Sequence, residues 1–489
     1  MTIYARLYRL LFSCLILSQA ISAQPVQRVT GTLPNIIIIF CDDLGYGDIA
    51  RNGATGYNTP NLNQLAAEGM TFTNFYAAEA VCSASRAALL TGCYPNRIKI
   101  FNALGPTSKT GLSNGEKTIA ELVRERNYAT AAVGKWHVGW QQQFLPLQHG
   151  FDEYLGLPYS NDMWPVDYDG RPLTDTTIWR SRYPPLPLIE GNQTKQIIAT
   201  LDDQATLTAT YTRKATSFIS ANRRRPFFLY LAHSMPHVPI AASPRFRGKS
   251  KQGLYGDVIM EIDWSVGEIM KTLKAYGLEK NTLLVFTSDN GPWLNYGNHA
   301  GSTGGLREGK GTSFEGGQKE PCIMRWPAVI PAATVCNQLA SSIDLLPTIA
   351  AITGGALPNH IIDGVSILSL LKNQPGAAPR KVFYYYYGNN QLEAVREEQW
   401  KLVLPHPGRS YEGFQPGKDG YPGKVTENRQ YELALYDLRR DPGERYDVKD
   451  NNPDIVQRLQ ALAETAREDL GDAVTHRTGK NVRDCGHAD

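Results

Sequence analysis

Short apolar runs alternate with amphipathic stretches along the first two thirds of the chain. Four of the runs predict strands that are buried on both faces: residues 35–41, 129–133, 226–232 and 282–288. Three stretches between them have the capping residues or the periodicity of helices: residues 59–65, 117–126 and 259–276. This strand–helix alternation predicts an α/β fold whose large, mostly parallel central sheet is sandwiched by helices.

The pattern changes near residue 370. Three later runs read as antiparallel strands, residues 382–387, 400–404 and 432–436, and residues 455–468 read as a closing helix. We therefore predict a main domain over residues 24–370 and a smaller C-terminal α+β subdomain with an antiparallel sheet over residues 371–489. Residues 160–192, which are rich in Pro, Asp, Tyr and Trp, are predicted to form a long ordered loop of the kind that shapes binding sites.

The first 23 residues have the pattern of an export signal. Arg6 and Arg9 precede an apolar run at residues 10–17, and the small residues at 20–23 suit cleavage. The run is too short for a stable membrane span, and no other segment is long and apolar enough. We expect a secreted or periplasmic protein, or a lysosomal one in a eukaryote. A lipoprotein signal with Cys14 as the lipidated residue is the alternative.

Charge and cysteine content narrow the class further. The formal net charge of the 489 residues is only +3, which argues against a general nucleic-acid-binding protein. Seven cysteines in a chain of this length do not make a disulfide framework. If one bridge exists, Cys322 and Cys336 are the favoured pair.

Acidic and amide side chains follow two of the apolar strands. Asp42 and Asp43 come directly after residues 35–41, and Asp289 and Asn290 come directly after residues 282–288. Oxygen ligands from strand ends favour a hard divalent cation, calcium more than magnesium. Each pair is also compatible with an ordinary turn.

The segment from Cys82 to Gly92 resembles the signature of the type I sulfatases of the alkaline phosphatase-like superfamily. The signature places Cys or Ser, Pro or Ala, and Arg at alternate positions, followed by Thr-Gly; here Cys82, Ala84, Arg86, Thr91 and Gly92 satisfy it. Pro is commoner than Ala at the third position of the family. Further landmarks of the family occur in order at residues 42–45, 134–137, 237–239, 288–291 and 309–317, with the family's usual ending at residues 435–444.

The resemblance implies a specific chemistry. Cys82 would be oxidised to 3-oxoalanine (formylglycine) by a formylglycine-generating enzyme, and the hydrated aldehyde would attack the sulfur of a sulfate ester. The resemblance assigns calcium to Asp42, Asp43, Asp289, Asn290 and the modified Cys82. The implied catalytic residues are Cys82, Arg86, Lys135, His137, His237 and Lys310, of which Lys135, His237 and Lys310 would also bind the sulfate group.

The expected substrate is a sulfated carbohydrate, because an exported enzyme with a cationic pocket suits sulfated sugars. Residues 157–162 resemble the branch of arylsulfatase A and N-acetylgalactosamine-6-sulfatase. Candidate substrate-binding residues at the pocket rim are Asn161, Asp162, Trp164, Trp293, Asn295 and His299. Each of them is equally compatible with simple loop packing.

Two alternatives remain at this stage. A phosphatase, or a phosphodiester or phosphonate hydrolase, of the same superfamily would share the fold, although many of its phosphatases use Ser or Thr as nucleophile and two zinc ions held by more histidines. A catalytically inactive carbohydrate-binding protein on the same scaffold would be expected to lack Cys82, Arg86 or Lys310, and all three are present.

Overall fold

The strand Asn35–Cys41 lies inside the main sheet and is buried along its whole length. A computed structural model describes residues 33–488. In it, this strand runs parallel to Thr282–Ser288 on one side and to Phe227–Ala232 on the other. Ile36, Ile38 and Phe40 enter the core on one face of the sheet, and the intervening residues enter the core on the other. Burial on both faces is the reason why the run has no polar alternation.

The main sheet has ten strands and is mixed. From one edge to the other they are Thr334–Cys336, Met70–Phe72, Cys322–Arg325, Thr282–Ser288, Asn35–Cys41, Phe227–Ala232, Ala129–Gly134, Glu153–Gly156, Leu186–Glu190 and Gln193–Ile198. The five strands from Thr282–Ser288 to Glu153–Gly156 are mutually parallel. Antiparallel pairings flank this parallel block on both sides. The predicted fold class is confirmed.

Helices cover both faces of the sheet. One face packs against Pro60–Ala67, Leu207–Ala221 and Gly253–Ala275. The other face packs against Cys82–Thr91, Ile119–Arg124 and Leu345–Thr353. Shorter helices are Leu201–Ala205, Glu315–Gln318 and Leu368–Leu371.

The C-terminal part forms a second, antiparallel sheet. Its four strands, in order, are Val382–Tyr387, Gln391–Glu397, Trp400–Val403 and Ala434–Asp437, and the helix Pro453–Leu470 packs on them. A two-stranded ribbon, His406–Ser410 with Thr426–Tyr431, projects between the third and fourth strands. Three further pairs of two-residue strands are Phe75–Tyr76 with Ala340–Ser341, Thr110–Gly111 with Gly486–His487, and Gly471–Asp472 with Arg477–Thr478.

Two predictions about these regions were wrong in part. Residues 160–192 are not a loop throughout, because Leu186–Glu190 pairs antiparallel with Glu153–Gly156 and extends the sheet. Cys322 and Cys336 are free thiols. Both pair with Phe72 from opposite sides of its strand, so they lie two strand spacings, about 9.6 Å, apart, beyond the roughly 7 Å that a disulfide tolerates.

The predicted export signal and Cys14 lie outside the described residues. Within residues 33–488, no helix combines the length and the apolar character that a membrane crossing needs. The division predicted between residues 370 and 371 stays a prediction.

Candidate active site

The predicted site residues meet at the carboxyl edge of the parallel strands. Four neighbouring strands end there, and the side chains that follow them turn toward a common point. These side chains are Asp42 and Asp43 after Asn35–Cys41, Asp289 and Asn290 after Thr282–Ser288, Lys135 and His137 after Ala129–Gly134, and His237 after Phe227–Ala232. Parallel order makes this convergence automatic, which is why open α/β sheets bind ligands at this edge.

Cys82 and Arg86 reach the same point from the helix Cys82–Thr91. Cys82 is its first residue, and Arg86 lies one turn later on the same side. The Arg86 guanidinium donates from Nε and Nη2 to Oδ2 of Asp289, at 3.1 and 2.7 Å, and from Nη1 to the Lys135 carbonyl at 3.0 Å. This fork ties the helix to two strand ends and fixes the position of Cys82.

Lys135 pairs with Asp42 in the interior. Its Nζ lies 2.5 Å from Oδ2 of Asp42 and donates to the Ser160 hydroxyl at 3.0 Å. Burial opposes ionisation of Asp42, but Lys135, His237 and Arg86 outweigh it and hold its pKa well below the usual value. Asp42 is therefore an anion at neutral pH.

Lys310 stands between Asp43 and Cys82. Its Nζ is 2.6 Å from Oδ1 of Asp43 and 3.3 Å from the sulfur of Cys82. The Asn290 amide also donates to Oδ1 of Asp43, at 2.7 Å. Burial lowers the pKa of Lys310, but the charge of Asp43 more than compensates and raises it well above the ordinary value, so Lys310 is a permanent cation.

Both histidines of the site are held in the neutral state. Burial, followed by Lys135, lowers the pKa of His137, and neither of its ring nitrogens has a partner. Burial and Lys310 lower the pKa of His237. Nδ1 of His237 lies 2.6 Å from the Val238 carbonyl, and since a carbonyl only accepts, that nitrogen carries the proton. Its Nε2 faces Asp43 at 3.7 Å.

The site retains oxygen atoms that suit a divalent cation. Oδ1 of Asp42, Oδ2 of Asp43 and Oδ1 of Asn290 are buried and have no hydrogen-bond partner. Ligand atoms of Asp42, Asp43, Cys82 and His237 lie within 4.8 Å of one another. A set dominated by carboxylate and amide oxygens fits a hard ion such as calcium. Both oxygens of Asp289 are engaged, by Arg86 and by the Asp43 amide.

An unmodified Cys82 thiol is poorly suited to attack an ester. Burial raises its pKa to about 12, in spite of Lys135 and Lys310. Because the thiolate is the nucleophilic form of cysteine, the unmodified residue is inert at neutral pH.

The rim residues have different positions. Trp293 lies against the site, with its ring centre 5.6 Å from that of His237 and 4.5 Å from Nζ of Lys310. Asn161 is buried and donates to the carbonyls of His237 and Pro239, both at 3.3 Å. Asn295 binds Gly423 through backbone and side chain, and Trp164 is fully buried in the core.

Two of the remaining rim positions are partly open. Asp162 is half-buried, and so is His299, whose ring lies close to Gly420 of the C-terminal part. His233, by contrast, lies 3.1 Å from the hydroxyl of Ser265, as expected of a structural histidine.

Sequence reasoning missed several residues that hold the site. Ser160 fixes Lys135, and it had no signal beyond its place in a Pro- and Tyr-rich segment. Tyr411 donates its hydroxyl to the Lys310 carbonyl at 2.6 Å, and Glu308 accepts from the Tyr411 amide and the Ser410 hydroxyl. These contacts come from the ribbon of the C-terminal part and the residue after its first strand, 101 to 103 positions away in the sequence, so no local pattern reveals them.

The fold and the site together define an alkaline phosphatase-like hydrolase whose buried cluster of Asp42, Asp43, Cys82 and His237 has the ligand atoms that a metal ion needs. Residues 34–356 match the family model described as Sulfatase, and residues 378–486 match the C-terminal region of aryl-sulfatase. The chain belongs to the sulfatase family and is a sulfuric ester hydrolase.

Named relatives span nearly the whole chain. N-acetylgalactosamine-6-sulfatase of Mus musculus is 38% identical over 456 residues, covering 89% of this chain and 86% of that protein. Arylsulfatase A of Homo sapiens is 38% identical over 466 residues, covering 90% and 89%. Among solved structures, Ps i-CgsB in complex with k-i-k-neocarrahexaose is similar with a TM-score of 0.72 and 29% identity, covering 89% of this chain and 92% of that one.

Proposed function

We propose that this sulfatase hydrolyses sulfate esters of carbohydrates outside the cytoplasm, with formylglycine made from Cys82 and one calcium ion. The observation that carries the proposal is the position of Cys82. Its sulfur is 3.3 Å from the Lys310 ammonium and shares one small space with Asp42, Asp43 and His237. The phosphatase or phosphonate hydrolase alternative is not favoured, because the family and the named relatives are sulfatases.

The proposed hydrolysis needs two groups that the unmodified chain does not supply, formylglycine and a calcium ion. Formylglycine supplies an oxygen nucleophile that also releases the sulfate afterwards, and calcium neutralises negative charge on the reacting oxygens. Asp42, Asp43, Asn290 and Asp289 would hold the ion, the first three through their unpaired oxygens.

Positive side chains would bind the sulfate group. Lys135 and Lys310 are buried cations whose ammonium groups already point at the site carboxylates. In a dry pocket, such fixed donors stabilise developing charge strongly without reorganisation. Arg86 keeps the Cys82 helix in register with Asp289 and contributes a third positive charge.

The neutral histidines would handle protons. His137, whose two ring nitrogens are free of partners, accepts the proton that the Cys82-derived group loses when sulfate is released. His237, which is neutral at rest, would contact the ester through Nε2; it would become a donor to the leaving oxygen only after taking up a proton there, opposite Asp43 at 3.7 Å, whereas Lys310 is already a cationic donor.

Carbohydrate is the proposed substrate class because of the relatives. One is named for N-acetylgalactosamine 6-sulfate, and one similar structure contains a carrageenan oligosaccharide. A formylglycine-generating enzyme is the partner required for maturation. Export agrees with the basic and apolar N-terminal pattern at residues 6–17.

The primary test is the mass of the peptide that contains Cys82, from protein coexpressed with a formylglycine-generating enzyme. Conversion of thiol to aldehyde lowers the mass by about 18 Da, because one sulfur and two hydrogens are replaced by one oxygen. We expect the sulfatase activity of preparations to scale with the converted fraction.

Cys82→Ala should lower kcat by roughly 10⁴-fold or more and leave the melting temperature close to that of the parent. Near-normal hydrolysis by Cys82→Ala would disprove the mechanism.

Calcium removal is the second test. Dialysis against a chelator should abolish hydrolysis of a sulfate ester, because the carboxylates of Asp42 and Asp43 would then repel the anionic substrate. Added calcium should restore activity fully. Restoration by zinc alone would contradict the proposed metal and support phosphatase-like chemistry.

A further inference from the structure

Arg180 is a buried cation without a carboxylate partner. It is 4% exposed, and it forms no ion pair within 4.0 Å with any carboxylate of residues 33–488; the hydrogen bond that it donates is to a backbone carbonyl. Every other buried Lys or Arg within residues 33–488 has such a partner: Arg86, Arg97, Lys135, Lys310, Lys319, Arg325, Arg380, Arg396 and Lys401. A buried charge without a counter-ion is costly, so this exception requires an explanation.

The contacts that Arg180 does make leave one of its donors unused. Its Nη2 donates to the backbone carbonyl of Asp162 at 3.2 Å, and its guanidinium carbon lies 4.3 Å from the centre of the Tyr168 ring. Its Nε is buried and has no partner. Asp162 thus offers its carbonyl and not its carboxylate.

A row of aromatic rings connects Arg180 to the active site. Trp293, which contacts Lys310 and His237, is 4.9 Å from Tyr296 between ring centres. Tyr296 is 6.0 Å from Tyr168, the ring on which Arg180 lies. The row therefore leads from Lys310 and His237 to a second positive group, the buried guanidinium of Arg180.

The outer end of the row opens to solvent. Tyr421, on the loop between the two ribbon strands, is 5.5 Å from Tyr168 between ring centres and 43% exposed. Partly exposed aromatic rings beside a charged donor are suited to a sugar ring and its anionic substituent, because the ring is amphipathic like the sugar.

We propose that Arg180, Tyr168 and Tyr421 form a second subsite, which binds an anionic group on a neighbouring sugar of the same sulfated glycan. The Nη groups of the Arg180 guanidinium, which hold what little exposed surface this side chain has, bind the sulfate or carboxylate of that sugar, while Tyr421 covers the sugar ring. This subsite rests on the proposed carbohydrate function and makes the enzyme prefer oligosaccharides with two or more anionic groups over small monosulfated esters.

The test measures binding in the full chain carrying Cys82→Ala, which separates recognition from turnover. The probes are N-acetylgalactosamine 6-sulfate, with one anionic group, and a chondroitin 6-sulfate tetrasaccharide, with several. Adding Arg180→Gln should weaken tetrasaccharide binding in calorimetry by about 10-fold or more, the usual effect of losing a charge-assisted hydrogen bond, and change monosaccharide binding by less than about 2-fold. Arg180→Lys should retain part of the affinity.

A matched control is Arg223→Gln. Arg223 also contacts a ring, Tyr276, and a backbone carbonyl, that of Ser220, but it lies on the surface at the end of the helix Leu207–Ala221. It should leave both affinities unchanged. Tyr421→Ala, at an exposed position where folding is not at risk, should weaken only tetrasaccharide binding.

Several outcomes would overturn the subsite. The first is that Arg180→Gln weakens the affinity for both sugars equally, and the second is that it weakens neither. The third is that the Cys82→Ala parent binds the tetrasaccharide no more tightly than the monosaccharide. A carrageenan tetrasaccharide, which has sulfates but no carboxylates, distinguishes the two anions. If Arg180→Gln weakens its binding as much as that of the chondroitin tetrasaccharide, Arg180 binds a sulfate. If only chondroitin binding is weakened, Arg180 binds a carboxylate. Hydrolysis of the monosaccharide by mature enzyme tests the proposed function separately, since it does not involve Arg180.

Discussion

Asp42 illustrates what single residues reveal at this site. Its position directly after an apolar strand predicted that it would bind a metal ion, and this prediction needed only the local sequence. Its pairing with Lys135 at 2.5 Å could not be predicted, because it depends on rotamers and on the parallel alignment of two strands 93 positions apart. The same limit applies to Arg86, whose motif was evident and whose fork to Asp289 was not.

His406 provides a pH test at the residue scale. Its Nε2 lies 3.4 Å from Glu393, and its Nδ1 lies 2.7 Å from the Leu404 carbonyl. Burial disfavours the charged ring, but Glu393 and these hydrogen bonds outweigh it and raise the pKa of His406 above its ordinary value. A raised histidine pKa stabilises the fold fully below pH about 6.5 and loses this effect as pH rises through the folded-state pKa.

We therefore expect His406→Gln to lower the free energy of unfolding by about 1.5–3 kcal/mol at pH 5.5 and by less at pH 8.5, as measured by urea denaturation. His476→Gln, at an exposed histidine, is the control and should show the same small change at both pH values. An effect of His406→Gln that does not vary with pH would mean that its charge contributes nothing.

At the scale of elements, Gly134 joins a central strand to the loop that carries Lys135 and His137. Its φ is +110°, and a Cβ atom there would lie 1.8 Å from the carbonyl oxygen of Ala232 on the adjacent strand. Gly134→Ala must therefore push two strands apart. We expect more than about 2 kcal/mol of destabilisation and a large loss of kcat, measured by denaturation and by sulfate release.

Gly191→Ala is the control for backbone conformation. Gly191 also has a positive φ, of +65°, but a Cβ atom there would meet nothing within 4 Å. It should cost about 1–2 kcal/mol and leave kcat unchanged. If both variants behaved alike, the close approach to Ala232 would not be the cause.

Helices and strands were predictable from the sequence where the pattern of apolar residues was uninterrupted. The strand Thr282–Ser288 begins and ends where the apolar run predicted, since nothing polar interrupts it. The edge strand Gln193–Ile198 was missed, because it is exposed over most of its length and lacks an apolar pattern. Edge strands of this kind are identified by their pairing partners, which the sequence does not reveal.

At the scale of the whole molecule, a buried charge cluster joins the two sheets. Lys401 lies 2.8 Å from Glu444 and 3.3 Å from Glu315, and it donates to the Ser313 carbonyl at 2.7 Å. Glu315 begins the helix that follows the Lys310 loop, and its amide donates to Glu444 at 2.7 Å. The C-terminal part thus supports the loop that carries Lys310.

Lys401→Met should destabilise the protein by about 3–5 kcal/mol, because it leaves two buried carboxylates facing each other. It should also lower kcat through the Lys310 loop. Thermal denaturation and sulfate release measure these effects, with Lys418→Met, at an exposed lysine, as the control. An unchanged melting temperature would show that the cluster is dispensable.

The burial of Cys82 limits the stage of biosynthesis at which its side chain is accessible to a modifying enzyme. Cys82 is 1% exposed in the first turn of a helix that is buried throughout, tied to the sheet by the Arg86 fork. A modifying enzyme cannot reach its sulfur once this fold has formed, so the proposed conversion to formylglycine would have to occur on the chain before it folds. Folded chains that still have an unmodified Cys82 would therefore stay unmodified. Under the proposed mechanism, the specific activity of a preparation would thus be fixed during synthesis, and only unfolding followed by a second exposure to the modifying enzyme would raise it.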